Sequence, residues 1–149
     1  MSVDKICTHN VVTISRDADI AEAALKMRQA HVGDLVVTEY RNGRETPIGM
    51  VTDRDIVVEV VAQRVQPESL KVADIMSGDV LTVHKDNGIA FAVAEMHKAG
   101  VRRAPVVEHG DALVGVLSLD DVVQHLAATL VHVGETLQAE QSKEARLRP

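Results

Sequence analysis

At 149 residues and 16.1 kDa, with 46% apolar residues, the chain can build one compact core or two small units that share one. Sixteen basic against 22 acidic residues, no Trp, one Tyr and one Phe give a net charge of −6 and almost no stacking surface, which argues against nucleic acid as a partner. No apolar run approaches the roughly 20 residues of a membrane span and Met1 to Cys7 lacks the start of a signal peptide, so a cytoplasmic protein with no membrane partner is expected.

Along the chain, the β-branched run Val11-Val12-Thr13-Ile14 predicts a first strand. Asp19 can cap a helix whose apolar residues Ile20, Ala23, Ala24 and Met27 recur at helical spacing. Leu35-Val36-Val37 and Ile48 to Val51 predict two further strands, joined by a two-residue turn at Asn42-Gly43, and Asp53 opens a closing helix. After the linker Gln66-Pro67-Glu68-Ser69 the same order returns. Val80-Leu81-Thr82-Val83 is a strand, Ile89, Val93 and Met96 mark a helix, and Val106-Val107 and Leu113 to Leu117 flank a turn at Gly110-Asp111. Leu119 then opens the last helix.

The chain is a tandem duplication. Gly49-Met50-Val51-Thr52-Asp53-Arg54-Asp55-Ile56 reappears as Gly115-Val116-Leu117-Ser118-Leu119-Asp120-Asp121-Val122. Upstream, Val3 superposes on Val72, Ile6 on Ile75, Val11 on Val80, Ile20 on Ile89, Met27 on Met96 and Val37 on Val106. The two offsets differ by three residues, lost within Arg41 to Pro47, a stretch of turn formers and charge.

A hydroxyl and a carboxylate three residues apart, where a strand runs into a helix start, can cap that helix. The same pair can also hold vicinal hydroxyls beside an anionic group, as in a ribose phosphate. Two copies of the pattern favour a ligand role for at least one.

The ordered motifs Asp74-Ile75-Met76, Val80 to Val83, Met96 to Val107 and the paired glycine-led segments resemble a tandem cystathionine beta-synthase (CBS) domain pair, or Bateman module, over about residues 3 to 128. The resemblance implies an α/β (α+β) fold of two β-α-β-β-α repeats with pseudo-twofold symmetry: repeat 1 over 3–65, a linker over 66–71, repeat 2 over 72–128, and a helical extension with a frayed tail over 129–149. It also implies a regulatory or sensing module, not an enzyme, that binds an adenine nucleotide (AMP, ADP, ATP, NAD) or S-adenosylmethionine as a regulatory ligand, without a catalytic cofactor, and that pairs as a homodimer. The alternative is a ligand-free dimerisation or protein-interaction module with an unidentified protein partner.

Carried over from the family, cleft one takes Met50, Thr52 and Asp55 from repeat 1, with Met76, Leu81 and Val101 near the adenine and Arg102 and Arg103 toward the phosphate. Cleft two takes Val116, Ser118 and Asp121 from repeat 2, with Cys7, Val12, Val32 and Gly33 from repeat 1. Gly33-Asp34 stands where repeat 2 has Arg102-Arg103, so cleft one is expected to be the stronger anionic site.

Among the seven histidines, His9, His31, His84, His97, His109, His125 and His132, no His-x-x-x-His pair occurs, and no metal site is expected. Cys7 reads as a small buried thiol. The tail carries Val122, Leu126, Leu130, Val133 and Leu137 at helical spacing, interrupted at Gly134. It is expected to pack against the module, with its last ten or so residues frayed.

Overall fold

The computed structural model describes residues 1–148. Two three-stranded sheets repeat one topology. In the first, β1 (Thr13–Ser15) lies parallel to β2 (Asp34–Arg41), which pairs antiparallel with β3 (Arg44–Thr52). In the second, β4 (Val83–His84), β5 (Arg103–Glu108) and β6 (Ala112–Ser118) do the same. A bulge interrupts the antiparallel ladder at Val37/Thr38 and again at Val106/Val107.

Local chemistry sets the boundaries. The Asp19 side chain accepts the Glu22 N–H at 2.8 Å and starts α1 (Ile20–Ala30), which ends where His31 turns left-handed at φ 56°. Helix α4 (Ile89–Ala99) ends on Gly100 at φ 66°. Both hairpins close on pairs with positive φ, Asn42 (52°) with Gly43 (75°) and Gly110 (75°) with Asp111 (60°). Helix α2 (Asp53–Ile56) runs on through a wider turn over Val57–Val61, whereas its counterpart α5 (Leu119–Leu147) extends for 29 residues.

Each repeat completes its core with the other's leader. A short turn at Val3–Lys5 puts Val3 and Cys7 among Val83, Ala92, Met96, Val106 and Leu117 of repeat 2. Helix α3 (Val72–Ile75) puts Val72 among Ile14, Ile20, Met27, Val37 and Val51 of repeat 1. The exchange is reciprocal at the sheet edges, where Thr8 bridges to Val116 and Ser77 to Met50. This explains the signature glycines. A Cβ on Gly49 would stand 2.6 Å from the Ser77 carbonyl oxygen, and one on Gly115 would stand 2.9 Å from Cys7 Sγ and 3.0 Å from the Thr8 carbonyl oxygen. Strands β3 and β6 meet between the two sheets.

Three expectations change. The first strands are shorter than the apolar runs, because Val11 and Val12, like Val80 and Leu81, lie before them and line clefts, with the Val12 carbonyl alone reaching the ladder, where it accepts the Val36 N–H at 3.1 Å. Helix α5 is unbroken through Gly134 and reaches Leu147, not a frayed end, since Gln138 to Leu147 is rich in Ala, Glu, Lys, Gln and Arg, all strong helix formers. That helix also does not pack its stripe on the module. Val122 is buried, but Leu126, Leu130, Val133 and Leu137 are 52–71% exposed.

Candidate functional site: two unequal clefts between the repeats

Both signatures form the same cap. Thr52 Oγ1 accepts the Asp55 N–H at 3.1 Å, and Asp55 Oδ2 accepts the Thr52 N–H at 2.8 Å. Ser118 and Asp121 repeat this at 3.1 and 2.8 Å, with the Ser118 hydroxyl also donating to Asp121 Oδ2 at 2.6 Å. The loops before these helices are tied to their first residues. The Gly33 carbonyl accepts the Asp53 N–H at 2.9 Å and the Arg102 carbonyl accepts the Leu119 N–H at 3.0 Å. A Cβ on Gly33 would come within 3.0 Å of Asp53 Oδ2, so the carboxylate fills the space a side chain would take.

Cleft one has a volume of about 470 Å³ and gathers Met50, Thr52, Leu81, Val101, Arg102 and Arg103 of the expected set. Asp55 and Met76 are not on its wall, since Asp55 turns an oxygen to the Thr52 backbone and Met76 packs beneath Gly49. Gly33 lines this cleft and not the one expected, together with Asp34, Asp53, Arg54, Ser77, Asp79 and Val80.

Cleft two is smaller, about 210 Å³, and gathers the expected Val12, Val32, Val116, Ser118 and Asp121. Cys7 is absent because it is seated under Gly115. Burial, with the Asp4 carboxylate next and Asp121 last, pushes its thiol pKa up, against a single opposing backbone hydrogen bond. The wall also includes Thr8, Asn10, Val11, Val36, Asp34 and Arg103.

Asp34 and Arg103 therefore border both clefts. They stand at equivalent places in the two repeats and form an ion pair, with Arg103 Nε 3.3 Å from Asp34 Oδ2. Burial raises the Asp34 pKa, Arg103 lowers it, and Asp53 raises it again. The pair ties up one of the two guanidiniums expected for phosphate, which leaves Arg102 and Arg54 as the cations of cleft one without an ion-pair partner among the described residues. By formal count the wall of cleft one carries three carboxylates (Asp34, Asp53, Asp79) and three guanidiniums (Arg54, Arg102, Arg103), and that of cleft two carries Asp34 and Asp121 against Arg103 alone.

The sequence pointed to the signature residues because they occur twice. It did not reveal Ser77, Asp79, Thr8 or Asn10, which reach the clefts only because the leaders cross between repeats. A wall built from exchanged leaders, glycine-backed edges and two capping boxes defines a class of protein, and a family model agrees. The CBS domain model matches residues 3–62 and 72–128, and the chain belongs to the CBS domain family. An uncharacterized protein of Methanopyrus kandleri, MK0525, is 34% identical over 143 residues, spanning 94% of this chain and 71% of that protein. The hexameric CBS-CP12 protein from bloom-forming cyanobacteria superposes at a TM-score of 0.73 with 30% identity, over 83% of this chain and 66% of the other. The CBS domain pair of protein MJ0100, in complex with 5′-methylthioadenosine and S-adenosyl-L-methionine, superposes at 0.74 with 22% identity, over 87% of this chain and 98% of the other, a likeness of fold. Among the described residues no helix is long and apolar enough to cross a membrane.

Proposed function

We propose that the chain is a regulatory module that binds an adenosyl ligand in cleft one. The supporting observation is the cleft itself. Its volume of about 470 Å³ falls within the roughly 300–1,000 Å³ of small-molecule sites, and cleft two at about 210 Å³ falls below it. Met50, Val80, Leu81 and Val101 offer an apolar slot for adenine. Thr52 and Asp53 stand where a ribose diol would be held, with Asp55 behind them fixing the Thr52 backbone, and Arg102 and Arg54 supply the charge for the tail. The ion pair and the even balance of charge disfavour a triphosphate, so the reading narrows to AMP, S-adenosylmethionine or a neutral adenosyl thioether. The fold of MJ0100 holding two such ligands is in keeping with it.

A thermal-shift panel of AMP, ADP, ATP, NAD, S-adenosylmethionine and 5′-methylthioadenosine tests this. A ligand at 100 times its Kd adds about 2.7 kcal/mol to the folded state. AMP or an adenosyl sulfur compound is expected to give the largest shift, and no shift from any member at millimolar concentration would discard the reading.

As the assembled form we propose a homodimer through the outer faces of α1 and α4. Ile20, Met27 and Met96 are sealed in their own cores and take no part, leaving Ala24, Leu25 and Phe91 outward, the last two 53% and 55% exposed. Phe91→Glu is expected to give monomers by light scattering, and a monomeric wild type would refute the assembly. The uncovered stripe of α5 favours a second reading, an interaction module, and an unresponsive ligand panel would move the weight there.

A further inference from the structure

We propose that Asp4, Cys7 and His9 form a zinc site at the edge of cleft two. The donors lie on the N-terminal leader, where the turn at Val3–Lys5 brings the Asp4 carboxylate, the Cys7 thiol and the His9 ring within 4.8 Å of one another. Cys7 Sγ is 3.9 Å from His9 Nε2, and Asp4 Oδ1 is 3.9 Å from the same nitrogen. The order is Asp-x-x-Cys-x-His, so a search for paired histidines passes over it.

The imidazole is held as a metal-binding imidazole is held. Its Nδ1 faces the Val114 carbonyl at 3.2 Å, and a neutral ring that donates there has a bare lone pair on Nε2. That lone pair points at the Asp4 carbonyl oxygen, 3.1 Å away, with the Asp4 carboxylate and the Cys7 sulfur just beyond. Acceptors converging on one point call for a positive charge between them. One nitrogen, one sulfur and one carboxylate oxygen suit zinc, with the fourth position left open. Tetrahedral bonds of about 2.0–2.3 Å set donor separations near 3.3–3.6 Å, so an ion draws these side chains together by well under the length of one bond. On binding, the thiol proton leaves to solvent, and thiolate and carboxylate together offset both charges of the ion.

The backbone that carries the donors is already pinned. Asp4 N–H donates to the Lys85 carbonyl at 3.0 Å, Cys7 N–H to Val3 at 3.0 Å and Thr8 N–H to Val116 at 2.9 Å. Because Val3 belongs to the core of repeat 2 and Thr8 to the wall of cleft two, an ion here clamps the leader in its exchanged position.

Equilibrium dialysis of the full chain against zinc chloride, with cobalt(II) as an optical probe, tests the assignment. One zinc per chain is expected, with a thiolate-to-cobalt charge-transfer band and the intense visible bands of a tetrahedral site. His9→Ala and Cys7→Ser should each weaken zinc by more than about a hundredfold, beyond what loss of a supporting contact causes. His132→Ala, on the exposed part of α5, should leave zinc binding unchanged. The His9 side chain is 57% exposed, so His9→Ala keeps the fold and carries the test if Cys7→Ser does not. Zinc bound equally by His9→Ala, a cobalt spectrum without the thiolate band, or no zinc bound at micromolar concentration would overturn the proposal.

Discussion

The two clefts share a backbone and differ in chemistry. Each has a glycine-backed edge, a capping box and a leader from the opposite repeat, yet one encloses about 470 Å³ with balanced charge and the other about 210 Å³ with an excess of carboxylate. The difference lies in the charges that the clefts do not share, Asp53, Asp79, Arg54 and Arg102 in the first against Asp121 in the second, because one ion pair between equivalent positions borders both. Residues near a twofold axis face their own counterparts, so a perfect duplication would set arginine against arginine or aspartate against aspartate. Here Asp34 meets Arg103 at 3.3 Å, and repulsion becomes attraction. Duplication makes the second cleft available, and a single sign change lets the two repeats meet as an ion pair.

The sharpest way to break this comparison is Arg102→Ala. Loss of a charged hydrogen bond is worth about 1.5–3 kcal/mol, or roughly ten- to 150-fold in affinity. AMP should weaken by that factor, adenosine by less than about threefold, and Asp121→Ala in cleft two should change neither by more. Titration calorimetry on both variants decides it, and equal losses would show that the clefts are equivalent.

Next in size is the glycine pair. Gly49→Ala drives a Cβ to 2.6 Å from a backbone oxygen, while Gly115→Ala meets a side-chain sulfur at 2.9 Å and a backbone oxygen at 3.0 Å. Overpacking of this kind costs about 1–3 kcal/mol, with Gly49 expected toward the upper end because the Ser77 carbonyl has the least room to yield. Urea denaturation measures the gap. If Gly115→Ala is the more damaging, the leader of repeat 1 is the more rigid of the two.

Much of this architecture was legible beforehand. Strand order, hairpin turns, helix starts and the two signatures follow from short-range patterns of apolar spacing, positive-φ turn residues and capping side chains. The exchange of leaders was not, because it is a choice between two equally apolar partners tens of residues apart, and Val3 and Val72 read alike in either core. For the same reason the sequence placed Met76 and Cys7 at the ligand when they seat under Gly49 and Gly115. It also read Val11-Val12 and Val80-Leu81 as strand, although the family resemblance had already put Val12 and Leu81 on the cleft walls that they line. The stripe on α5 was legible as a helix but not as an uncovered one, since periodicity reports which face is apolar and not what lies against it.

The caps give a smaller and more even effect. Thr52→Ala and Ser118→Ala should each cost about 1 kcal/mol of stability, read as paired shifts in urea midpoint. Only Thr52→Ala should also weaken the ligand, and a ligand loss from Ser118→Ala would move the site to cleft two.

Smallest is the pH response of Asp34. Its native pKa is raised, so the folded state holds that proton more tightly than the unfolded chain does. Stability from this group is therefore greatest below the ordinary carboxylate value near 4 and falls as pH climbs through the raised native value. Asp34→Asn should flatten the fall in stability that sets in as pH rises above about 4, and only slightly, because Arg103 already offsets part of the burial. The same variant frees Arg103 for both clefts and should narrow the difference in AMP affinity between them.

The crossing of Val3 into one core and Val72 into the other makes each half of the chain the plug for its neighbour's socket. Neither half holds a finished interior by itself, so a chain cut at the Gln66–Ser69 turn would give two fragments that are incomplete apart and complementary together. The clefts open at the seams where plug meets socket, at Thr8 against Val116 and Ser77 against Met50. A small molecule lodged at either seam would therefore touch the interlock that joins the two halves.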